Sequence, residues 1–375
     1  MRRAAAIAAA LACAVALGAC GTVVDINRGG RVAGTTLTIY TQLPDAGRGA
    51  GRDMVDAEKL ALLEAGGKVG DYTINFIVVD ERARISSADL RDSIADPQVI
   101  AMIGPGRSET AAVTVPLFNA AGILQVTPGA GYPGFTASTG PGEPARWQPS
   151  GRRTLGRVVG DDRQQAPAML AAAAAASGKA HPRVAIEQEP GRIADEQVTQ
   201  LRRAGARVVE DESRADAVLY AGEDAGNAAG VADALAHEQP GTAVVLPDAV
   251  TLGGVAQQLS GEARRDAVLV SSAPELGTTH ALLRFEATFR EHYRRAPGPY
   301  AAVGYDAMRA VLDALRVAGD RAVVRQEVID AYFRPGVRRG GLLGDMRVAA
   351  DGSRAPARFT AFRVRGGRSG YLRLR

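Results

Sequence analysis

Cysteine is almost missing from this chain of 375 residues, which holds only Cys13 and Cys20. Both lie near the start, so no disulfide framework can staple the body of the protein and no cysteine-based metal site is written there. Histidine is nearly as scarce. His181 precedes Pro182 at the start of a β-rich run, while His237, His280 and His292 sit in or beside polar helical segments without metal-ligand spacing. No Gly-x-Ser-x-Gly elbow accompanies them, and Gly104-Pro105-Gly106 is not followed by the Lys-Ser/Thr of a phosphate loop. These absences point away from an enzyme, and neither a cofactor nor a metal is expected. Lysine is reduced to Lys59, Lys68 and Lys179, so nearly all the positive charge is arginine. The formal net charge of +4 is spread without a basic block, which argues against nucleic acid as a partner. The basic tail 354–375 alternates with Phe359, Phe362, Val364 and Leu372 like a hairpin with an arginine-bearing exposed face. Beyond the first twenty residues no apolar stretch approaches the ~20 residues of a membrane helix, and no repeat of solenoid period occurs.

What is present begins at the N-terminus. Arg2 and Arg3 precede an apolar run, Ala4 to Leu17, that is too short to span a bilayer, and Leu17-Gly18-Ala19-Cys20 closes it with small residues. That is the layout of a signal peptide. The segment resembles the lipobox of bacterial lipoproteins, which implies cleavage before Cys20 and a diacylglycerol on its thiol. Residues 1–19 are then the signal peptide and 20–34 a lipidated cysteine with its tether. The protein is expected on the extracytoplasmic face of a cell membrane, held there by lipid. An ordinary secretory signal with a chance cysteine is the alternative.

With 46% hydrophobic and 23% charged residues, the remainder has an ordinary globular composition and is long enough for two domains. Strand-like and helix-like runs alternate, the pattern of parallel α/β sheets. Strand runs at 36–40, 73–79, 99–103 and 123–126 interleave with helical runs at 54–63, 86–94 and 108–121. A Gly/Pro-rich loop from Pro128 to Gly151 interrupts them. Further strands are predicted at 157–159, 183–186, 207–209, 217–220, 243–246 and 267–270, with helices at 164–177, 225–237 and 252–258. Helical segments at 282–292, 300–317 and 323–332 precede short β-like runs punctuated by glycine.

Several segments together resemble the type I periplasmic binding proteins, in particular the branched-chain amino-acid receptors of ABC importers. They are Leu37–Pro44 with Glu58–Gly67, Ile100–Ser108, Val115–Ile123, Thr127-Pro128 with Tyr132-Pro133 and Phe135-Thr136, Arg153–Val159 with Asp162 and Gln165, Tyr305-Asp306-Ala307, and Gly341–Asp345. Each is weak alone; their order and spacing carry the likeness. The resemblance implies an α/β protein of two doubly wound parallel-sheet lobes with a ligand cleft between them. Three hinge crossings would join the lobes, near Leu155–Asp162, Val270–Pro274 and Gly336–Gly344. Lobe 1 would comprise 35–156 plus 272–338, and lobe 2 157–271 plus 339–375. The implied protein is monomeric. It captures a small-molecule ligand, an amino acid or similar polar metabolite, and delivers it to the permease of an ABC importer.

In open parallel sheets, ligands bind beyond the carboxyl ends of the strands. Gly104–Ser108 is such a place, where Ser108 can cap a helix and leave backbone amides free for an anion. Glu109 and Thr110 are its first-turn neighbours. In the resembling receptors a serine at this position holds the ligand carboxylate; a plain N-cap is the alternative. Gly129 and Gly131 match positions where those receptors use a carbonyl and a threonine hydroxyl, so the hydroxyl is missing here. Tyr132 can supply one or simply cover the hinge. Asp248, after Pro247, matches the acid that receives the ligand ammonium, although Asp at a strand end also serves as a turn cap. Tyr220 ends the preceding strand, and Tyr305 matches a position where those receptors place an aromatic at the cleft wall; both read equally as core. Arg192 stands near a cleft-lining tyrosine of the receptors. The departures at Gly131 and Arg192 keep a second reading open, a tethered sensor or structural lipoprotein that retains the fold without a transport ligand.

Overall fold

The computed structural model describes residues 30–44, 47–80, 87–337, 340–365 and 368–372. Cys20 and the signal segment lie outside them. The first sheet collects β1 (Thr36–Leu43), β2 (Lys68–Val69), β3 (Tyr72–Asp80), β4 (Val99–Ile103), β5 (Leu124–Thr127) and β6 (Leu155–Arg157), in the order β2-β3-β1-β4-β5-β6. All neighbours run parallel except β2 and β3. β4 shows why: its five residues are all buried and apolar, as a strand covered on both faces must be. One face is covered by α1 (Gly49–Glu64) and, from much later in the chain, α11 (Ala301–Ala318) and α12 (Arg325–Tyr332). The other carries α2 (Ser87–Ala95) and α3 (Ser108–Ala120), with Leu90, Phe118 and Ile123 packed on Val99 and Met102. α10 (His280–Tyr293) packs Leu282, Phe285 and Phe289 onto Ala57 and Leu60 of α1.

The second sheet contains β7 (Arg183–Gln188), β8 (Arg207–Val208), β9 (Ala217–Ala221), β10 (Ala243–Leu246), β11 (Ala267–Ser271), β14 (Thr360–Arg365) and β15 (Arg368–Leu372), in the order β15-β14-β11-β10-β9-β7-β8. β14 lies antiparallel on β11 and pairs antiparallel with β15, so the tail does form a hairpin. α4 (Asp162–Ser177) and α5 (Arg192–Arg203) cover one face, and α6 (Ala225–Glu238) with the short α7 (Asp248–Leu252), α8 (Val255–Gln258) and α9 (Ala263–Asp266) the other. A capping box between Asp161 and Gln164 starts α4, and Gly178 in the left-handed region stops it. A small ladder, β12 (Arg347–Val348) with β13 (Arg354–Ala355), stands apart. Among the described residues no helix is long and apolar enough to cross a membrane.

Several element readings shift. The strand expected at 157–159 is β6 at Leu155–Arg157, and it belongs to the first sheet, paired with β5 through Gln125–Leu155 and Thr127–Arg157. The helix expected at 252–258 is two, broken where Gly254 turns left-handed. α5 had no counterpart in the sequence reading, although Ala194, Val198 and Leu201 recur at helical spacing on its buried face beside Glu196, Gln197 and Gln200. The stretch 128–151 is no bare loop. It holds two short 3-10 turns, Pro133–Phe135 and Ala145–Trp147, and buries Tyr132, Phe135 and Trp147 in an edge-to-face cluster.

Candidate functional site between the lobes

The carboxyl ends of β4 and β5 face those of β7, β9 and β10 across a cleft. On the first lobe, Thr127 knits its two loops together: its hydroxyl donates to the Pro105 carbonyl (2.6 Å) and accepts from the amides of Gly129 and Ala130. Arg157, fully buried, then fixes the second loop from beneath. Its guanidinium donates to the Ala130 carbonyl (3.0 Å), the Thr136 hydroxyl (2.8 Å) and the Tyr132 carbonyl (2.6 Å). These contacts explain the glycines. A Cβ at Gly129 would stand 2.4 Å from the Gly106 carbonyl oxygen, and one at Gly131 2.8 Å from Asp162 Oδ1. The loops lie too close for the side chain whose absence the sequence reading noticed.

Across the cleft, Glu189 organises the second lobe. It accepts from the Tyr220 hydroxyl and from the amides of Glu223 (2.9 Å) and Asp224 (3.0 Å). The backbone so held sends the Glu223 side chain over to the first lobe. There Glu223 Oε1 accepts from the Ser108 amide (3.0 Å) and Oε2 from the Glu109 amide (3.1 Å). Burial raises the Glu223 carboxyl above its ordinary value, and the Ser108 hydroxyl and the two amides offset part of that. Two cavities adjoin Glu223. The larger, about 340 Å³, is walled by Tyr132, Phe135, Trp147, Glu189, Arg192 and Glu223, among others. The smaller, about 10 Å³, lies among Gly129, Gly131, Asp162, Gln165, Glu223 and Asp248. That is room for one water.

The candidate residues divide accordingly. Glu109 and Tyr132 line the larger cavity; Gly129, Gly131 and Asp248 line the smaller. Ser108 is not the N-cap of α3, since Arg107 holds that position; the Ser108 hydroxyl accepts from the Tyr132 amide (3.1 Å). Thr110 does not line the larger cavity, because the helix turns Glu109 and Ala112 toward it instead. Tyr220 lies behind the cleft and orients Glu189. Tyr305 is elsewhere: its ring packs on Phe285 (5.3 Å) and its hydroxyl donates to Glu64, because that side of α11 faces α1 and α10. Tyr300, just before α11, reaches the second lobe in its place and donates to Asp248. Asp248 also accepts from the Ser272 amide (2.8 Å), so its carboxylate is engaged within the protein; burial raises it, and Tyr300 and Ser272 pull it back. The Tyr132 hydroxyl is likewise committed, donating to Glu143 (2.7 Å). Burial alone would raise Glu143, but hydrogen bonds from Thr139, Tyr132 and Trp147 and the charge of Arg192 outweigh it and hold the carboxyl low. Arg192 thus enters the cavity wall with a salt bridge to Glu143 (3.2 Å).

Sequence reasoning missed Glu189, Glu223, Arg157, Phe135 and Trp147. Glu189 directly follows β7 and Glu223 lies two residues beyond β9, so the strand-end rule could have marked them. Among the described residues no group of three or more metal-ligating side chains forms.

No family model matches this chain, and no curated protein matches it by sequence. Solved structures do. The leucine-binding protein LivK of Thermotoga maritima superposes with a TM-score of 0.72 at 18% identity, over 89% of this chain and 97% of that one. A solute-binding protein of an ABC transporter from R. palustris, in complex with benzoate, gives 0.71 at 19%, over 90% and 95%. LivJ of Streptococcus pneumoniae, in complex with isoleucine, gives 0.70 at 17%, over 89% and 97%. The fold is that of the type I periplasmic binding proteins. These neighbours are named as binding proteins. In this periplasmic-binding-protein fold the cleft described above is where both lobes present their strand-end loops.

Proposed function

We propose that this chain is a solute-binding protein that takes a small polar metabolite, an amino acid or similar, between its lobes and delivers it to an ABC importer. The observation that carries the reading is the cavity of about 340 Å³ built jointly by strand-end loops of both lobes. Its volume lies within the usual range for small-molecule sites. Tyr132, Phe135 and Trp147 offer an apolar wall, Glu109 and Glu189 supply acceptors, and Arg192 is the one cationic side chain among the described lining residues. That set suits a compact body with both an anionic and a cationic or donor group. Leucine, isoleucine and benzoate, named with the neighbouring structures, share a carboxylate on an apolar body. The test is a thermal-shift screen of the purified protein against amino acids, amides, small carboxylates and ureas. A ligand at 100 times its Kd adds about 2.7 kcal/mol of stability. A second reading, a tethered sensor or structural lipoprotein without a transport ligand, is favoured by the filling of the inner seat by Glu223. No hit across the panel from a folded protein would select it.

The reading includes lipid anchoring at Cys20 on the extracytoplasmic face, supported by the Leu17–Cys20 segment. Wild-type protein should incorporate a fatty-acid analogue in cells and Cys20→Ser should not; an unlabelled wild type would end this part of the proposal.

A further inference from the structure

Glu223 makes a contact that a free ligand would be expected to make. Its two carboxylate oxygens take the amides of consecutive first-turn residues of α3, a helix of 13 residues whose N-cap, Arg107, provides no side-chain cap. Amides at this end of a helix carry partial positive charge and attract anions. The donors are backbone amides joined by the Ser108 hydroxyl, with no arginine or lysine bonded to the carboxylate among the described hydrogen bonds. Any small carboxylate could use the same donors. Glu223 arrives from the opposite lobe and its backbone stays anchored there through Glu189, so only its side chain spans the cleft.

A second feature lies on the inner side. Asp162 is 5% exposed, and its Oδ2 has no hydrogen-bond partner in the protein. It lines the same small cavity as Glu223, with space for one water and no solute. The Asp162 carboxyl is raised well above its ordinary value, first by burial and then by Glu223 and Asp161. The inner cleft is therefore completed by protein carboxyl groups.

We propose that Glu223 is a built-in carboxylate ligand: seated on the Ser108 and Glu109 amides, it holds the two lobes together without solute and keeps free carboxylates off that seat. The inference deepens the reading of the cleft as a solute site and rests on it for the meaning of that seat. Solutes of the wild-type protein then bind in the outer cavity against Glu223, or must displace it.

Acetate is the probe. Radius of gyration by small-angle scattering is compared for wild type, Glu223→Ala and Glu223→Gln, with sodium acetate against sodium chloride at matched ionic strength. Wild type should be compact and unmoved by acetate. Glu223→Ala should expand, and acetate but not chloride should restore the compact profile and raise its Tm. Glu223→Gln, which keeps one acceptor, should fall between them and serves as the readout if the alanine variant fails to fold. A substituted protein as compact as wild type, or one indifferent to acetate, would overturn the proposal. The two readings fail separately. An acetate-responsive Glu223→Ala whose wild type binds no solute keeps the seat and removes the transport role. A solute hit with an acetate-blind variant does the reverse.

Discussion

Arg157 shows how a single side chain can define a binding surface without touching it. Three of its hydrogen bonds hold the 130–136 segment, and it has no exposed surface. Burial works against its charge, and Asp161 and Asp351 work for it. Replacing it with methionine keeps the volume but strands the acceptors of Ala130, Tyr132 and Thr136. Each unsatisfied buried group costs about 1–3 kcal/mol, so Arg157→Met should lose about 3 kcal/mol or more in urea unfolding. A loss under about 0.5 kcal/mol, the level of a neutral surface change, would contradict this clamp. Glu58 makes the second residue-scale prediction. It is fully buried on α1 beside Thr41, and burial lifts its carboxyl from 4.5 to about 8. Folded protein thus keeps a proton that unfolded protein releases. Glu58 contributes in full below pH 4.5, and that contribution is lost as pH rises through about 8, by about 1.4 kcal/mol per pH unit. Glu58→Gln should therefore gain on wild type between pH 5 and pH 8 in paired melts. A constant difference across that window would show that the carboxyl titrates normally.

At the scale of elements, the tail hairpin closes the second sheet. β14 covers the edge of β11 through Leu269–Phe362, Val270–Ala361 and Ser271–Thr360, and Ala361 is fully buried. A protein ending at Pro356 would leave that edge open for intermolecular pairing. It should show a lower Tm and poor solubility, checked by melting and size-exclusion chromatography; an unchanged melt would mean the hairpin is dispensable. Elements with strong apolar signals were legible from sequence. β4 matches its expected span, and α3 differs only at its last residue, since uninterrupted apolar runs and glycine stops are local properties. α5 carries a legible stripe too, Ala194, Val198 and Leu201 at helical spacing, but the polar Glu196, Gln197 and Gln200 interleaved on its buried face, with Gln200 bonded to Glu196, obscure it. The 128–151 stretch is the loop expected, but its fixed path was not legible, because it comes from a tertiary aromatic cluster and from Arg157, not from local propensity.

For the whole molecule, α10, α11 and α12 return to pack with the first sheet after the second has been built, and β14 returns to the second. The sequence by itself determined an alternating α/β chain and, through scattered segments, the resemblance to two-lobed binding proteins. It also marked the loop at Ser108 as a neighbour of a cleft, because a strand end can be read locally, and the resemblance added Gly129 and Asp248. Only the tertiary structure decided which polar groups remain available there. Asp248 is engaged by Tyr300 and Ser272, and the amides of Ser108 and Glu109 by Glu223, more than a hundred positions away. The physical reason is that a hydrogen bond is satisfied by proximity in space. Sequence specifies the donors, but only packing of the two lobes specifies which acceptor reaches them first.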